Sequence, residues 1–95
     1  MDDHDLRLVE RFMPGGRLRR VPSKASKRRL VLEHVAQLFE PGVRYSERQV
    51  DAILTGVCEG GETDHVSLRR YLVDAQLLGR ESGEYWRIGG WVYGT

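Results

Sequence analysis

A single cysteine, Cys58, rules out an internal disulfide and fits a reducing cytoplasm. No apolar run approaches the roughly 20 residues that cross a bilayer. The opening Met1-Asp2-Asp3-His4-Asp5 carries the wrong charge for a secretion signal. These absences lead to the expectation of a cytoplasmic protein with no membrane partner. No glycine loop followed by lysine is available to cradle a phosphate; Gly15-Gly16 and Gly60-Gly61 read as ordinary chain breakers. The histidines, His4, His34 and His65, are scattered, and Cys58 with His65 would supply only two of the four ligands of a structural zinc site. No metal and no cofactor are therefore expected. No spacing suits a serine triad, so enzymatic activity is not expected either. Cys58 follows an apolar stripe and reads as a small buried residue, since a redox sensor needs an exposed thiol of low pKa.

Acid is missing where base is concentrated. Between Arg11 and Leu32 stand Arg11, Arg17, Arg19, Arg20, Lys24, Lys27, Arg28 and Arg29, with no Asp or Glu among them. The net charge is only +1, so the other 73 residues, with seven basic and fourteen acidic side chains, carry −7. A polyanion senses such segregated charge at short range, because salt screens fields beyond roughly 8 Å. A nucleic acid is the leading partner; the plainer reading is a solvated, partly disordered arm. The 95 residues, 40% apolar and 31% charged, suit one soluble domain with a modest core.

Along the chain, Leu6, Val9, Phe12 and Met13 mark a short helical stripe over 5–13, ended by Pro14-Gly15-Gly16. Arg17 to Pro22 reads as an extended arm, with Leu18 and Val21 docked and Arg17, Arg19 and Arg20 outside. Ser23 or Ser26 is suited to cap the next helix, whose inner face gathers Val31, Leu32, Val35, Leu38 and Phe39 before Pro41-Gly42. Ser46-Glu47-Arg48-Gln49 is a capping box, and Val50, Ile53, Leu54 and Val57 continue a helix to Cys58. Thr63 or Asp64 caps a further helix over 65–75, with Leu68, Tyr71, Leu72 and Ala75 inward. Arg69, Val73, Val66 and Arg70 lie on its opposite face. Leu77 to Arg80 and Glu84 to Ile88 then read as strands about a turn at Glu81-Ser82-Gly83, and Trp91-Val92-Tyr93 forms a last apolar patch.

The expected fold is α+β and mainly α. It is a winged helix-turn-helix with three core helices and a β-hairpin wing, preceded by a short N-terminal helix and basic arm. The organisation reads as arm over 1–22 and winged-helix domain over 23–95, in a single globular unit. In that plan the helix over 65–75 enters a major groove, where arginine pairs with guanine and a valine methyl meets a thymine methyl. Ser67, Arg69, Arg70 and Val73 would approach bases, while Arg80, Arg87, Arg17, Arg19, Arg20, Lys24, Lys27 and Arg28 would hold phosphates. Each has a plainer reading. Arg70 has Asp74 one turn on for an exposed ion pair of about 0.3–0.5 kcal/mol, and the Arg69 stem has the hairpin to cover. Of Tyr85 and Trp86, alternating on a strand, one belongs to the core. A stacking platform for single strands would need Tyr85, Trp91 and Tyr93 all exposed.

Phe12 with Gly16-Arg17-Leu18, then Val21-Pro22-Ser23-Lys24, Tyr45-Ser46-Glu47-Arg48-Gln49-Val50, Leu68-Arg69-Arg70-Tyr71-Leu72-Val73-Asp74, and Leu78-Gly79-Arg80 with Tyr85-Trp86 carry a resemblance over about residues 10–88. The chain resembles an uncharacterised bacterial domain family found alone or fused behind ArsR-type winged-helix repressors. The resemblance implies a transcriptional regulator by domain company, with no catalytic residues. It also implies an asparagine where this chain has Asp51, and a shorter linker than Gly60-Gly61-Glu62-Thr63.

Double-stranded DNA is accordingly the expected partner, with a homodimer as a possible assembly. Two alternatives differ in class. One is a protein-interaction module using Val66, Val73, Trp91 and Tyr93. The other is RNA binding through the arm, with the folded part a scaffold that survives deletion of 1–22.

Overall fold

The computed structural model describes residues 2–89, and its first element is α1, Asp3–Phe12. The Asp2 carboxylate accepts from the Asp5 amide at 2.8 Å. Asp3 and Asp5 in the first turn and Arg11 in the last complement the helix dipole. A short 3-10 turn at Pro14–Gly16 follows, where Gly15 and Gly16 take φ of 65° and 81°, a region side chains disfavour.

The basic arm that follows is docked by its backbone. Leu18 N–H donates to the Val57 carbonyl at 2.8 Å, Arg19 N–H to Phe12 at 2.8 Å, and Glu62 N–H to the Arg19 carbonyl at 2.7 Å. Val21 N–H donates to Thr63 Oγ1 at 3.3 Å. Leu18 is only 1% exposed and shares one hydrophobic core with Val9, Phe12, Met13, Val35, Leu54 and Leu68. Residues of the 1–22 segment therefore fill part of the core.

The second helix, α2, covers Ala25–Ala36 and buries Val31, Leu32, Val35 and Ala36. Neither Ser23 nor Ser26 caps it. Lys24 occupies the N-cap without a side-chain bond, and Ser23 uses its carbonyl to accept from Arg28 Nη1 at 2.8 Å. The expected burial of Leu38 is also corrected, since it is 50% exposed. After Ala36 the chain tightens into i→i+3 bonds, Leu38 to Val35 and Phe39 to Ala36. That change of pitch turns Phe39 inward and Leu38 out. Phe39 meets Tyr45 edge to face at 5.2 Å, and Gly42, at φ 83°, reverses the chain.

Strand β1, Tyr45–Ser46, leads directly into α3, Glu47–Cys58. The expected capping box is present: Gln49 N–H donates to Ser46 Oγ at 3.1 Å, and Ser46 N–H donates to Gln49 Oε1 at 2.8 Å. α4, His65–Asp74, is capped by Asp64, whose carboxylate accepts from Ser67 N–H at 2.7 Å. It ends with Gln76 at φ 59° and a bond from Leu77 N–H to the Leu72 carbonyl, the pattern in which a left-handed residue closes a helix.

Strands β2, Leu78–Glu81, and β3, Glu84–Arg87, form the expected hairpin. Ser82 and Gly83 both have positive φ, 51° and 79°, matching the two-residue turn that follows strand twist. β3 is central, because β1 pairs on its far side with Tyr45 opposite Tyr85. The result is a mainly helical α+β fold of four helices and a three-stranded antiparallel sheet. Among the described residues, no helix is long and apolar enough to cross a membrane.

Candidate nucleic-acid interface

Helix α4 is bordered on both sides by cationic elements. Val21 is tied to Thr63 just before the helix begins, and Arg29 Nη1 donates to the Ala75 carbonyl where it ends. The segment joining them, 21–25 and the first turn of α2, is thus tied near both ends of α4 and flanks its C-terminal half. A groove of about 340 Å³ separates them, lined by Ala25, Arg28, Leu32, Tyr71, Asp74 and Ala75 among others. On the other flank Val66, Arg69, Arg70, Val73, Arg80 and Tyr85 line a smaller groove of about 150 Å³ against the hairpin. Asp74 borders both, so Arg70 and Asp74, one turn apart, mark the ridge between them.

The two arginines of α4 are in different situations. Arg69 Nη1 donates to Asp51 Oδ1, its Nη2 lies 3.5 Å from Glu47 Oε1, and its side chain is 17% exposed. Tyr85, fully buried, donates its hydroxyl to the same Glu47 oxygen at 3.2 Å, so α3, α4 and β3 meet in one polar cluster. Arg69 is thus committed internally, and its guanidinium also lies 5.8 Å from the centre of the Tyr85 ring on the hairpin. Arg70 is exposed. Among the described residues the ion pairs are His4–Asp5, Arg29–Glu33 and those of Arg69, so the Arg70–Asp74 pair of the plainer reading is not formed.

The other expected contact residues are placed unevenly. Arg17, Arg19, Arg20 and Lys24 are exposed on the docked arm, and Lys27 and Arg28 are half-exposed on α2. The Arg20 guanidinium sits 5.2 Å over the Phe12 ring. Arg80 is exposed on the hairpin, 5.6 Å over the Tyr85 ring. Arg87 turns away from that surface: Nε donates to Gly89 at 3.1 Å, Nη1 to the Phe39 carbonyl at 3.2 Å, and Nη2 is buried without a partner. Ser67 is half-buried, and Val73 packs against the core instead of standing outside. Tyr71, expected inside, is 39% exposed on the groove facing α2. Trp91 and Tyr93 lie outside the described residues. Of the two strand aromatics Tyr85 is the core residue; Trp86 lies under Arg44, whose guanidinium is 4.1 Å from its ring.

Sequence reasoning did not single out Glu47 and Asp51 as partners of Arg69. Asp51 precedes it by 18 residues, and no local spacing signals such a pairing.

A family model described as "Uncharacterized protein conserved in bacteria (DUF2087)" matches residues 17–87. The chain belongs to this family. The match opens on the docked arm and closes on the last residue of β3, so both flanks of α4 fall within the DUF2087 region and α1 precedes it. No curated protein and no solved structure gives a match.

Within the DUF2087 region Asp64, Cys58 and His34 are among the groups shifted from their ordinary pKa for physical reasons. Hydrogen bonding from Ser67 N–H holds Asp64 below its usual range, which keeps a negative charge at the positive end of α4. Burial raises the Cys58 thiol, with Asp64 adding to the effect. Burial also lowers His34, whose Nδ1 lacks a hydrogen-bond partner.

Proposed function

We propose that this DUF2087 protein is a winged-helix regulator of transcription that binds duplex DNA without catalysing a reaction. The observation carrying this reading is the alignment of the cationic segment beside α4, tied at Thr63 and Ala75. The order α2, β1, α3, α4, β2, β3, with the returning strand paired to β1, supports the winged-helix assignment. In this arrangement α4 enters the major groove, with Val66 and Ser67 toward base edges and Arg70 on the flank that faces the hairpin. Arg17, Arg19, Arg20, Lys24, Lys27 and Arg28 neutralise backbone on one flank, and Arg80 on the other. Arg69, Val73 and Arg87 are left out because each is engaged within the fold. The resemblance to domains fused behind ArsR-type repressors points the same way by association.

Fluorescence anisotropy with random duplex, single-stranded DNA and RNA at several salt concentrations tests the proposal. With five or six phosphates neutralised, log affinity for duplex falls against log salt with a slope of about −5. A flat salt response removes the proposal. Preference for RNA transfers the interface to the arm, and no nucleic-acid binding at all leaves the exposed Val66 and Tyr71 to a protein partner.

A further inference from the structure

We infer that the groove between α4 and the hairpin seats one backbone phosphodiester, with Arg70 and Arg80 as its two grips. The inference rests on the duplex-binding reading and names the chemical group held at that flank. Three guanidinium-bearing residues, Arg69, Arg70 and Arg80, line this concavity of about 150 Å³, against a single carboxylate, Asp74. Gathering like charges is unfavourable unless each is compensated. Arg69 is compensated from behind by Asp51 and Glu47, which do not line the groove. Arg69 thus meets two carboxylates, and the three arginines and three carboxylates balance overall; on the groove wall itself Arg70 and Arg80 face Asp74, a local excess of one positive charge. A phosphodiester carries one negative charge, and its oxygens accept hydrogen bonds from guanidinium donors. The floor is well packed, since Tyr85 is fully buried and Val73 packs on the core. Arg80 already lies over the Tyr85 ring, so its guanidinium is held near the groove before any ligand arrives.

The test uses the full chain in two arms. In the first, inorganic phosphate is titrated while the arginine Nε resonances are followed by NMR. The Arg70 and Arg80 signals are expected to move along one saturable curve, tighter in Asp74→Asn, while exposed Arg48 on α3 moves little. Arg70 and Arg80 shifting no more than Arg48 overturns the seat. In the second arm, a mixed-sequence duplex is bound by the unsubstituted chain and by R70Q, R80Q and R48Q, each checked for unchanged thermal unfolding. R70Q and R80Q are each expected to make the salt slope shallower by about 1, whereas R48Q does not. Duplex binding whose slope ignores R70Q and R80Q overturns the seat and leaves the duplex reading standing. A phosphate response without duplex binding supports the seat and overturns the duplex reading.

Discussion

Gly61 faces the carbonyl oxygen of Leu18 so closely that a β-carbon would fall well inside contact distance, and it would stand 3.0 Å from the Arg19 carbonyl as well. This contact joins the linker before α4 to the basic arm, and both neighbours are backbone atoms with no rotamer to change. The linker before α4 thus has a structural use: it receives the arm.

Gly61→Ala is therefore expected to destabilise the fold by about 1–3 kcal/mol, the usual range for overpacking. Urea unfolding measures the loss. Hydrogen exchange should show the Glu62 amide, which donates to Arg19, less protected. Unchanged stability would mean that the arm docks more loosely than the hydrogen bonds indicate.

The Arg69–Asp51 contact gives a second expectation. Removing Asp51 leaves a mostly buried guanidinium short of a partner, so Asp51→Ala should cost about 1–3 kcal/mol. Asp51→Asn should cost less, because an amide oxygen still accepts from Nη1. A double-mutant cycle with Arg69→Met should return a coupling energy of about 0.5–3 kcal/mol. Independent, additive effects would contradict a direct pair.

The His34 environment sets a pH dependence. Burial lowers its folded pKa below the 6.5 of the free side chain, so the unfolded chain binds more protons in the window between the two values. Stability should begin to fall as pH drops through about 6.5 and level off, for this group, below the folded value. Chemical unfolding of the native chain and of His34→Gln across pH 7 to 5 should show a slope that the variant lacks in that window.

Cys58 should be a slow nucleophile. It is 9% exposed, and its raised pKa keeps the thiol protonated near neutrality. An aromatic disulfide reagent at pH 8 should label the folded protein many times more slowly than the urea-unfolded chain. Equal rates would place the sulfur in solvent.

What could be read in advance divides along a physical line. The capping box at Ser46 and Gln49, the Ser82-Gly83 turn and the inward Val50, Leu54, Leu68 and Leu72 are local patterns, and each appears as read. Strand β1 was missed because two residues carry no periodicity, and its pairing depends on Tyr85, forty residues away in sequence. Leu38 and Tyr71 were misplaced for a related reason. The wheel assumes one pitch and one covered face, whereas α2 tightens after Ala36 and Tyr71 borders an open groove. At the interface, charge segregation pointed to the basic tract. The withdrawal of Arg69 and Arg87 depended on partners distant in sequence, Asp51 and Phe39.

Ser46 closes β1 opposite Glu84 and also caps α3. One residue therefore serves as a hinge pin between sheet and helix bundle. Any swing of the hairpin that breaks the Ser46–Glu84 pairing must also disturb the first turn of α3, where Glu47 holds Arg69 and Tyr85. Mechanical load applied at the hairpin turn would accordingly travel into the helices through Ser46, as well as through the short Ala75–Leu77 connection.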